Sequence, residues 1–254
     1  MGLLSHYKSN LRDIEFNLFE LFKIDESLGQ GPFENIDTET ARSILVEVER
    51  LATEDLAESF VDSDRNPPVY DPKTYTAPLP ESFKKSLKAW DDAEFWRLVL
   101  PEGLGGTLAP PSFTWAMGEM VMGANPSIYM YGVAPVFASV MWANGTERDK
   151  RWAKFIVDKQ WGATMVLTEP DAGSDVGAGR TKATPNDDGS WNIEGVKRFI
   201  TVAEHDAYEN IVHLVLARPH GVEGIGGPGT KGLSLFVVPK NHFDSETGEL
   251  TGER

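Results

Sequence analysis

The sequence lacks several features that would assign it to a well-marked class of protein. It contains no cysteine among its 254 residues, which excludes disulfide bonds and thiolate metal sites. Its five histidines show no ligand spacing such as H-E-x-x-H, so no metal site is predicted. No G-x-S-x-G nucleophile elbow is present. No apolar run approaches the roughly 20 residues of a membrane-spanning helix, so no integral membrane segment is predicted.

Positive charge is also scarce. The chain carries 24 basic against 39 acidic residues, a net charge of -15, which disfavours nucleic acid and anionic membranes as partners. Its N-terminus, MGLLSHYKSN, has no signal-peptide pattern. Gly2 suggests myristoylation, but His6 stands where that motif requires Ser or Thr. We therefore predict a cytoplasmic protein that binds any phosphate through local donors.

The first 162 residues have mainly helical patterns. In LRDIEFNLFELFKI, one stripe has Leu11, Ile14, Leu18 and Leu21 at helical spacing, and Phe16, Phe19 and Phe22 form a second. This helix is therefore predicted to be covered on two sides. Asp37 or Thr38 is predicted to cap the next helix, whose apolar face comprises Ala41, Ile44, Leu45, Val48, Leu51, Ala52 and Leu56.

Further helices are predicted beyond a proline-rich connector at 67–80. One spans 81–97, two mostly apolar helices are separated at Asn125-Pro126, and a short amphipathic helix precedes Gly162. The apolar pair is dense in methionine and aromatic residues. Such a stripe is typical of a core, and lining an apolar ligand cleft is the alternative.

Strand patterns replace helical ones after Gly162. ATMVL, RTKAT, SWNIEG, VKRFIT, NIVHLVLARP and GLSLFVVPK are predicted strands separated by turns. Helices followed by strands indicate an α+β, multidomain protein, with an all-α domain before an antiparallel β domain. We predict an N-terminal helical extension over 1–36, an α domain over 37–162 and an incomplete β domain over 163–254.

Two features near the strands have ordinary structural explanations. GIGGPG, residues 224–229, matches G-x-G-x-x-G, but a strand pattern follows it where the dinucleotide fingerprint requires a helix. We interpret it as a surface loop. Glu169 could be proposed as a base, but we expect a structural acid that binds nearby backbone donors.

The segment after the first strand, TEPDAGSDVGAG, is the candidate site. Thr168 ends the strand with a hydroxyl, Pro170 stiffens the exit, and Ser174 adds a second hydroxyl. Gly173 and Gly177 are expected to adopt positive φ and let the backbone approach a ligand. Successive N–H groups in such a turn form an anion-binding concavity, which suits a pyrophosphate. An ordinary hairpin loop is the alternative.

A second element supports the ligand hypothesis. In GVKRFIT, Phe199 precedes Thr201 by two residues, and side chains two apart share one face of a strand. That face would offer an aromatic ring and a hydroxyl to a flat heterocycle.

These motifs together resemble the acyl-CoA dehydrogenase family. The family signature, Thr-Glu followed by a small-residue turn and Gly-Ser-Asp, is similar to residues 168–175; WNIEGVKRFIT, PEGLGGT and NGTERDKRWAKFIVDKQWG match further family segments. The N-terminal extension resembles larger bacterial members, including long-chain actinobacterial forms and the 3-methylmercaptopropionyl-CoA dehydrogenases.

The resemblance implies that the turn holds FAD. Leu167 and Thr168 would meet the flavin's pyrimidine edge, while Gly173 and Ser174 would hold the pyrophosphate, with Ser174 also near the CoA moiety. Thr201 would hydrogen-bond near flavin N5, and Phe199 stands where the family usually has Trp. The segment VAEHDAYEN after Thr201 departs from the family's short glycine-containing loop.

The reaction implied is α,β-dehydrogenation of acyl-CoA thioesters, in which a base takes the α-proton and the flavin accepts hydride. An electron-transferring flavoprotein would reoxidise the flavin, and the full-length enzyme would be a homo-oligomer. The family's base is a Glu in a C-terminal helical bundle, so we expect it beyond Arg254 and expect the chain to be an inactive fragment. A non-catalytic flavin or acyl-CoA binding module, or a 3-methylmercaptopropionyl-CoA dehydrogenase, is the alternative.

Overall fold

A computed structural model describes residues 5–254, so the first four residues of the predicted extension, including Gly2, lie outside the described residues. The chain forms two compact units. The first, a helical unit, runs to Gln160 and also contains Glu204–Glu209. The second, a β unit, consists of Trp161–Ala203 and Asn210–Arg254. Six residues of the predicted continuous segment 163–254 thus belong to the helical unit.

The helical unit contains α-helices joined by short 3₁₀ and π-helical segments. The α-helices are α1 Leu11–Glu15, α2 Thr38–Leu51, α3 Phe60–Arg65, α4 Glu81–Ala93, α5 Pro111–Ala124, α6 Pro126–Tyr131, α7 Ala134–Asn144 and α8 Glu147–Asp158. Among residues 5–254, none of the helices combines the length and the apolar character that crossing a bilayer requires.

Helix α2 follows its predicted pattern. The Asp37 carboxylate caps it by accepting the Thr40 N–H at 2.7 Å, which satisfies an N–H group left without a partner in the first turn. Six of the seven predicted face residues are buried: Ala41, Leu45, Val48 and Leu51 in α2, and Ala52 and Leu56 in the π-helical segment Ala52–Leu56 that continues it. Hydrophobic burial on one face therefore fixes α2 in the unit.

The first helix differs from the prediction. Helix α1 continues as the π-helical segment Phe16–Leu21, in which Leu18 and Phe19 are buried. Phe16, Leu21 and Phe22 are exposed, so the prediction of cover on two sides is wrong. One member of each stripe, Leu18 and Phe19, is buried in the π-helical segment, so burial is confined to a single side that combines both stripes.

Three apolar helices occupy the region where two were predicted. The break at Asn125-Pro126 is present, and Gly132 and Val133 make a second break between α6 and α7. Both predicted roles of the apolar stripe have structural support. Most of its methionines are buried in the core, and a cavity of about 260 Å³ is lined by aromatic and apolar side chains, among them Trp90, Trp96, Trp115, Tyr129 and Val136.

Residues 204–209 are anchored in the helical unit by polar contacts. The Asp206 carboxylate accepts hydrogen bonds from the Leu79 N–H at 2.8 Å and from Lys84 Nζ at 2.6 Å. The Tyr208 hydroxyl donates to Asp91 Oδ1 at 3.2 Å. Burial raises the pKa of Asp91 to about 7. A segment that departs from the family's usual loop thus supplies a polar cluster to the helices.

The β unit contains one five-stranded sheet. Its strands are β1 Gly162–Val166, β2 Lys182–Pro185, β3 Trp191–Glu194, β4 Ile211–Pro219 and β5 Ser234–Pro239. β4 is central, because it pairs with β1, β2 and β5, and β3 extends the sheet from β2. The buried Ala163, Val212, Leu214 and Ala217 contribute to its core.

The sheet is mixed, so the predicted antiparallel β domain is corrected. β4 pairs parallel with β1 and with β2, whereas β2–β3 and β4–β5 are antiparallel. Short turns join antiparallel strands, but a long connection lets a strand return in its original direction. The 44 residues between β1 and β4, 167–210, provide such a connection.

Candidate functional site

The chain leaves β1 through a tight turn. The Glu169 N–H donates to the Ala172 carbonyl at 2.9 Å, and the Ala172 N–H donates back to the Glu169 carbonyl at 3.2 Å. Pro170 occupies the second position of this four-residue turn, where its fixed φ is favoured. The proline therefore ends the strand and reverses the chain, which places Gly173 and Ser174 just beyond the end of β1.

Glu169 anchors this turn from within. Its carboxylate accepts hydrogen bonds from the N–H groups of Arg180 and Thr181 at 2.6 and 3.0 Å, and Lys197 Nζ lies 2.9 Å from it. Burial raises the pKa of Glu169, but hydrogen bonds from Thr181, Arg180 and Lys197 outweigh it and hold the pKa at about 2. The expectation of a structural acid is confirmed.

The small-residue turn exposes a run of backbone donors. None of the five N–H groups of residues 173–177 donates to an acceptor within residues 5–254. The short 3₁₀ segment Val176–Ala178 follows them, with the Ala178 and Gly179 N–H groups bonded back to Asp175 and Val176. Consecutive N–H groups without internal partners are donors that an anion could accept from.

The two glycines of this turn have other roles than the predicted one. Neither Gly173 nor Gly177 has positive φ, so that expectation is wrong. A Cβ at Gly173 would meet nothing within 4 Å, whereas one at Gly177 would lie 3.1 Å from the Thr230 nitrogen. Gly173 therefore leaves room above the backbone, and Gly177 allows close packing against the loop that precedes β5.

The predicted strand VKRFIT is absent. β3 ends at Glu194, and residues 195–203 are irregular. The Arg198 N–H donates to the Thr168 carbonyl at 2.9 Å, and Lys197 Nζ donates to the Leu167 carbonyl at 2.9 Å. These contacts, with the Lys197–Glu169 ion pair, draw the segment against the end of β1. Phe199 and Thr201 therefore do not share a strand face.

Phe199 is nevertheless presented to solvent. Its side chain is 79% exposed, and its backbone has φ 59°, a left-handed conformation that is strained for a residue with a bulky side chain. The guanidinium carbon of Arg198 lies 4.7 Å from the ring centroid. An exposed aromatic ring in a strained backbone, beside Thr168, is a suitable surface for a flat ligand.

The predicted site residues therefore lie on two adjoining segments. Leu167 and Thr168 directly follow β1 and lead into the turn with Gly173 and Ser174, and the segment held against them carries Phe199 and Thr201. No residue within 5–254 hydrogen-bonds the side-chain hydroxyls of Thr168, Ser174 or Thr201. All three hydroxyls remain available to a ligand or to water.

Sequence reasoning missed Arg218. This arginine interrupts the apolar pattern of β4, which is the one signal that could have drawn attention to it. Its Nη2 donates to the Gly177 carbonyl at 2.9 Å, and its Nη1 donates to the Gly229 carbonyl at 3.2 Å and to the Gly227 carbonyl. The guanidinium thus connects the small-residue turn with the GIGGPG segment.

The GIGGPG segment is a loop, as predicted. Gly224, Gly226 and Gly229 have positive φ, and the segment is followed by a single 3₁₀ turn, Thr230–Gly232, and then by β5. No helix starts there to direct its N-terminus at a phosphate, which the dinucleotide fingerprint requires.

Comparisons with known proteins agree on one family. The acyl-CoA dehydrogenase middle domain matches residues 164–253. The chain is 56% identical, over 99% of its length, to 40% of the broad-specificity linear acyl-CoA dehydrogenase FadE5 of Mycobacterium tuberculosis. It is 35% identical, over 92% of its length, to 39% of the 3-methylmercaptopropionyl-CoA dehydrogenase of Ruegeria pomeroyi. The chain thus spans about two fifths of the length of these curated relatives.

Solved structures show the same fold. An acyl-CoA dehydrogenase from Geobacillus kaustophilus superposes with a TM-score of 0.61 at 21% identity, covering 80% of this chain and 48% of that one. An acyl-CoA dehydrogenase complexed with FAD from Bacillus anthracis gives 0.58 at 20% identity, covering 81% and 31%. With the resemblance of its motifs and the match of its middle domain, the chain belongs to the acyl-CoA dehydrogenase family.

Proposed function

We propose that this chain provides the FAD-holding part of an enzyme that dehydrogenates acyl-CoA thioesters between the α and β carbons. The observation that carries the proposal is the run of five N–H groups at 173–177 without internal acceptors, beside an exposed aromatic ring at Phe199. A net charge of -15 repels a dinucleotide overall, so close local donors are needed to hold its pyrophosphate.

The residues present fit FAD. Gly173 and Ser174 would hold the pyrophosphate through their N–H groups, and the Ser174 hydroxyl would also serve the CoA moiety. Phe199 would pack on the flavin ring. FAD, when bound, supplies the acceptor for the hydrogen that leaves the β carbon as hydride.

The contacts at the end of β1 limit how the flavin edge can be held. The carbonyls of Leu167 and Thr168 already accept hydrogen bonds from Lys197 and Arg198. Leu167 would therefore contribute its N–H, and Thr168 its N–H and hydroxyl. The Thr201 hydroxyl would donate near N5. Each of these groups orients the flavin and leaves the α-proton to another residue.

Glu169 cannot be that residue. Its pKa is about 2, and its carboxylate is bound by Arg180, Thr181 and Lys197. A carboxylate that is so stabilised in its ionised form is too weak a base for an α-proton. With Glu169 excluded, we follow the family resemblance and propose a base outside these 254 residues, an electron-transferring flavoprotein as the oxidant and a homo-oligomer as the complete enzyme.

The proposed substrates are linear fatty acyl-CoA thioesters. The relative with the higher identity, 56%, is a linear acyl-CoA dehydrogenase. The relative at 35% identity is a 3-methylmercaptopropionyl-CoA dehydrogenase. The second thioester remains the alternative substrate.

The test is flavin binding by the 254-residue chain, followed by an assay with a panel of acyl-CoAs and an electron-acceptor dye. We expect quenching of FAD fluorescence on binding, and no sustained turnover. Gly173→Asp would set a carboxylate among the proposed pyrophosphate donors and should abolish binding. The matched Thr184→Asp, which adds a carboxylate at an exposed position of β2 outside the candidate site, should retain it.

Three outcomes of these assays would contradict parts of the proposal. Equal FAD affinity of the two variants would remove the turn from the site. A chain that does not bind FAD would contradict the proposed function. Sustained turnover would show that the base lies within residues 1–254.

A further inference from the structure

Arg218 has a role that neither its strand nor its charge explains. Its backbone N–H pairs with the Thr181 carbonyl at 2.8 Å, so the main chain is fixed at the end of β4. The guanidinium then extends to three carbonyls, those of Gly177, Gly227 and Gly229. An arginine offers five donors in a rigid planar fork, which lets a single side chain bind two separate segments at once.

The turn 173–177 makes few hydrogen bonds of its own, so contacts from other segments are needed to fix it. The N–H groups of 173–177 have no internal acceptors, so hydrogen bonds do not fix that stretch from the donor side. Glu169 holds the chain just after it, through the Arg180 and Thr181 N–H groups. The Gly177 carbonyl is where Arg218 fixes the turn itself.

The loop before β5 is packed against the same point. A Cβ at Gly177 would lie 3.1 Å from the Thr230 nitrogen and 3.3 Å from the Gly229 carbonyl carbon. A Cβ at Gly232 would overlap the Gly227 carbonyl and lie 2.5 Å from Arg218 Nη1. The loop therefore occupies the position of a side chain at Gly177, and the Gly227 carbonyl and the guanidinium occupy that position at Gly232.

We propose that Arg218 is a positioning residue that couples the glycine-rich loop 224–229 to the turn 173–177, and that the loop thereby sets the turn's affinity for the FAD pyrophosphate. This inference rests on the proposed function. It gives the GIGGPG segment a part in cofactor binding without direct contact. Because coupling of two sites is reciprocal, FAD binding should in turn order the loop.

The first experiment compares FAD affinity in three variants of the 254-residue chain. Arg218→Met keeps the aliphatic stem and loses the donors, so we expect the dissociation constant to rise about tenfold. Arg218→Lys keeps the charge without the fork and should lie between Met and the native residue. Lys231→Met removes a charge from the 3₁₀ turn after the same loop and should bind FAD normally.

Affinity is measured well below the unfolding transition, with circular dichroism confirming the fold. A merely structural arginine would lower the unfolding temperature and leave the affinity of the folded chain unchanged. That result, or equal effects of Arg218→Met and Lys231→Met, would overturn the proposal.

The second experiment needs no flavin. Gly232→Ala displaces the Gly227 carbonyl, whereas Gly227→Ala adds a methyl group with nothing within 4 Å, and neither glycine has positive φ. We expect Gly232→Ala to move the amide NMR shifts of 173–179, and Gly227→Ala to leave them in place. Shifts confined to 226–233 would overturn the coupling. If the native chain binds no FAD, the proposed function fails, and this experiment still decides the coupling.

Discussion

Thr201 carries a hydroxyl that no residue within 5–254 hydrogen-bonds, although its segment is fixed against β1 through Arg198. A hydroxyl without a protein partner contributes little to stability, and its removal should mainly affect a bound ligand. This separation makes the residue a direct probe of the proposed flavin contact.

Thr201→Val should weaken FAD binding about fivefold, the loss expected for one hydrogen bond of ~1 kcal/mol, and should shift the flavin absorption bands. Thr184→Val is the matched control, because Thr184 is an exposed threonine of β2 outside the candidate site. Fluorescence titration and visible spectra measure both effects. Identical spectra and affinities for the two variants would remove Thr201 from the site.

At the scale of elements, the segment 195–203 is bound against the end of β1 but forms no strand. It carries two non-glycine residues with positive φ, Phe199 and Val202, and both are strained there. The strain at Phe199 is not offset by burial of its ring, because that ring is 79% exposed. Binding of a ligand to the ring is the compensation that we propose.

Phe199→Gly therefore has a distinctive expected result. Glycine adopts φ 59° without strain, so the unfolding temperature should stay the same or rise, while FAD affinity falls about tenfold or more with the loss of ring stacking. Phe199→Trp should keep the affinity and change the flavin spectrum. Thermal unfolding and titration measure the two quantities. A fall in stability with unchanged affinity would show that the ring serves the fold.

Much of the architecture was predictable from local patterns. Asp37 and the apolar face of α2 predicted that helix, because capping and periodicity are local properties. Five of the six predicted strands are present. The sixth, VKRFIT, has high β propensity, and contacts with distant residues overrode it: Lys197 binds Glu169 and the Leu167 carbonyl.

The remaining features depend on residues far apart in sequence. The parallel register of Gly162 with Ile211 is set by how the chain returns, which periodicity does not encode. The structural role of Glu169 could be predicted because its backbone donors are close to it in sequence. Arg218 was not identified, because its acceptors are backbone carbonyls that no side-chain pattern reveals. The segment 204–209 could not be assigned to the helices because its partners are Lys84, Leu79 and Asp91.

At the scale of the whole molecule, two carboxylates with large and opposite pKa shifts contribute to the pH dependence of stability. Glu169 is lowered from 4.5 to about 2, so its stabilising contribution is complete above about 4.5 and is lost as pH falls through about 2. Asp91 is raised from 3.8 to about 7. Its contribution is complete below about 3.8 and is lost as pH rises through about 7.

Asp91→Asn should therefore raise the free energy of unfolding at pH 8 by about 1 kcal/mol or more and leave it little changed near pH 4. Asparagine retains an oxygen that accepts the Tyr208 hydroxyl and carries no charge to bury. Asp64→Asn, at an exposed aspartate of α3, is the control and should keep the native pH profile. Unfolding monitored by circular dichroism from pH 4 to pH 8 decides, and parallel curves for native chain and Asp91→Asn would contradict the assignment.

The discontinuity of the helical unit also has a consequence for synthesis. A chain made from its N-terminus completes α8 at residue 158, yet the partners of Lys84 and Asp91 lie at 206 and 208. The nascent helices must therefore wait, with Asp91 lacking its tyrosine, while about fifty further residues are added at the several residues per second of a ribosome. Because β1 also gains its neighbour only with residues 211–215, these contacts of the helical unit and the pairing of β1 with β4 become possible within the same short interval of translation.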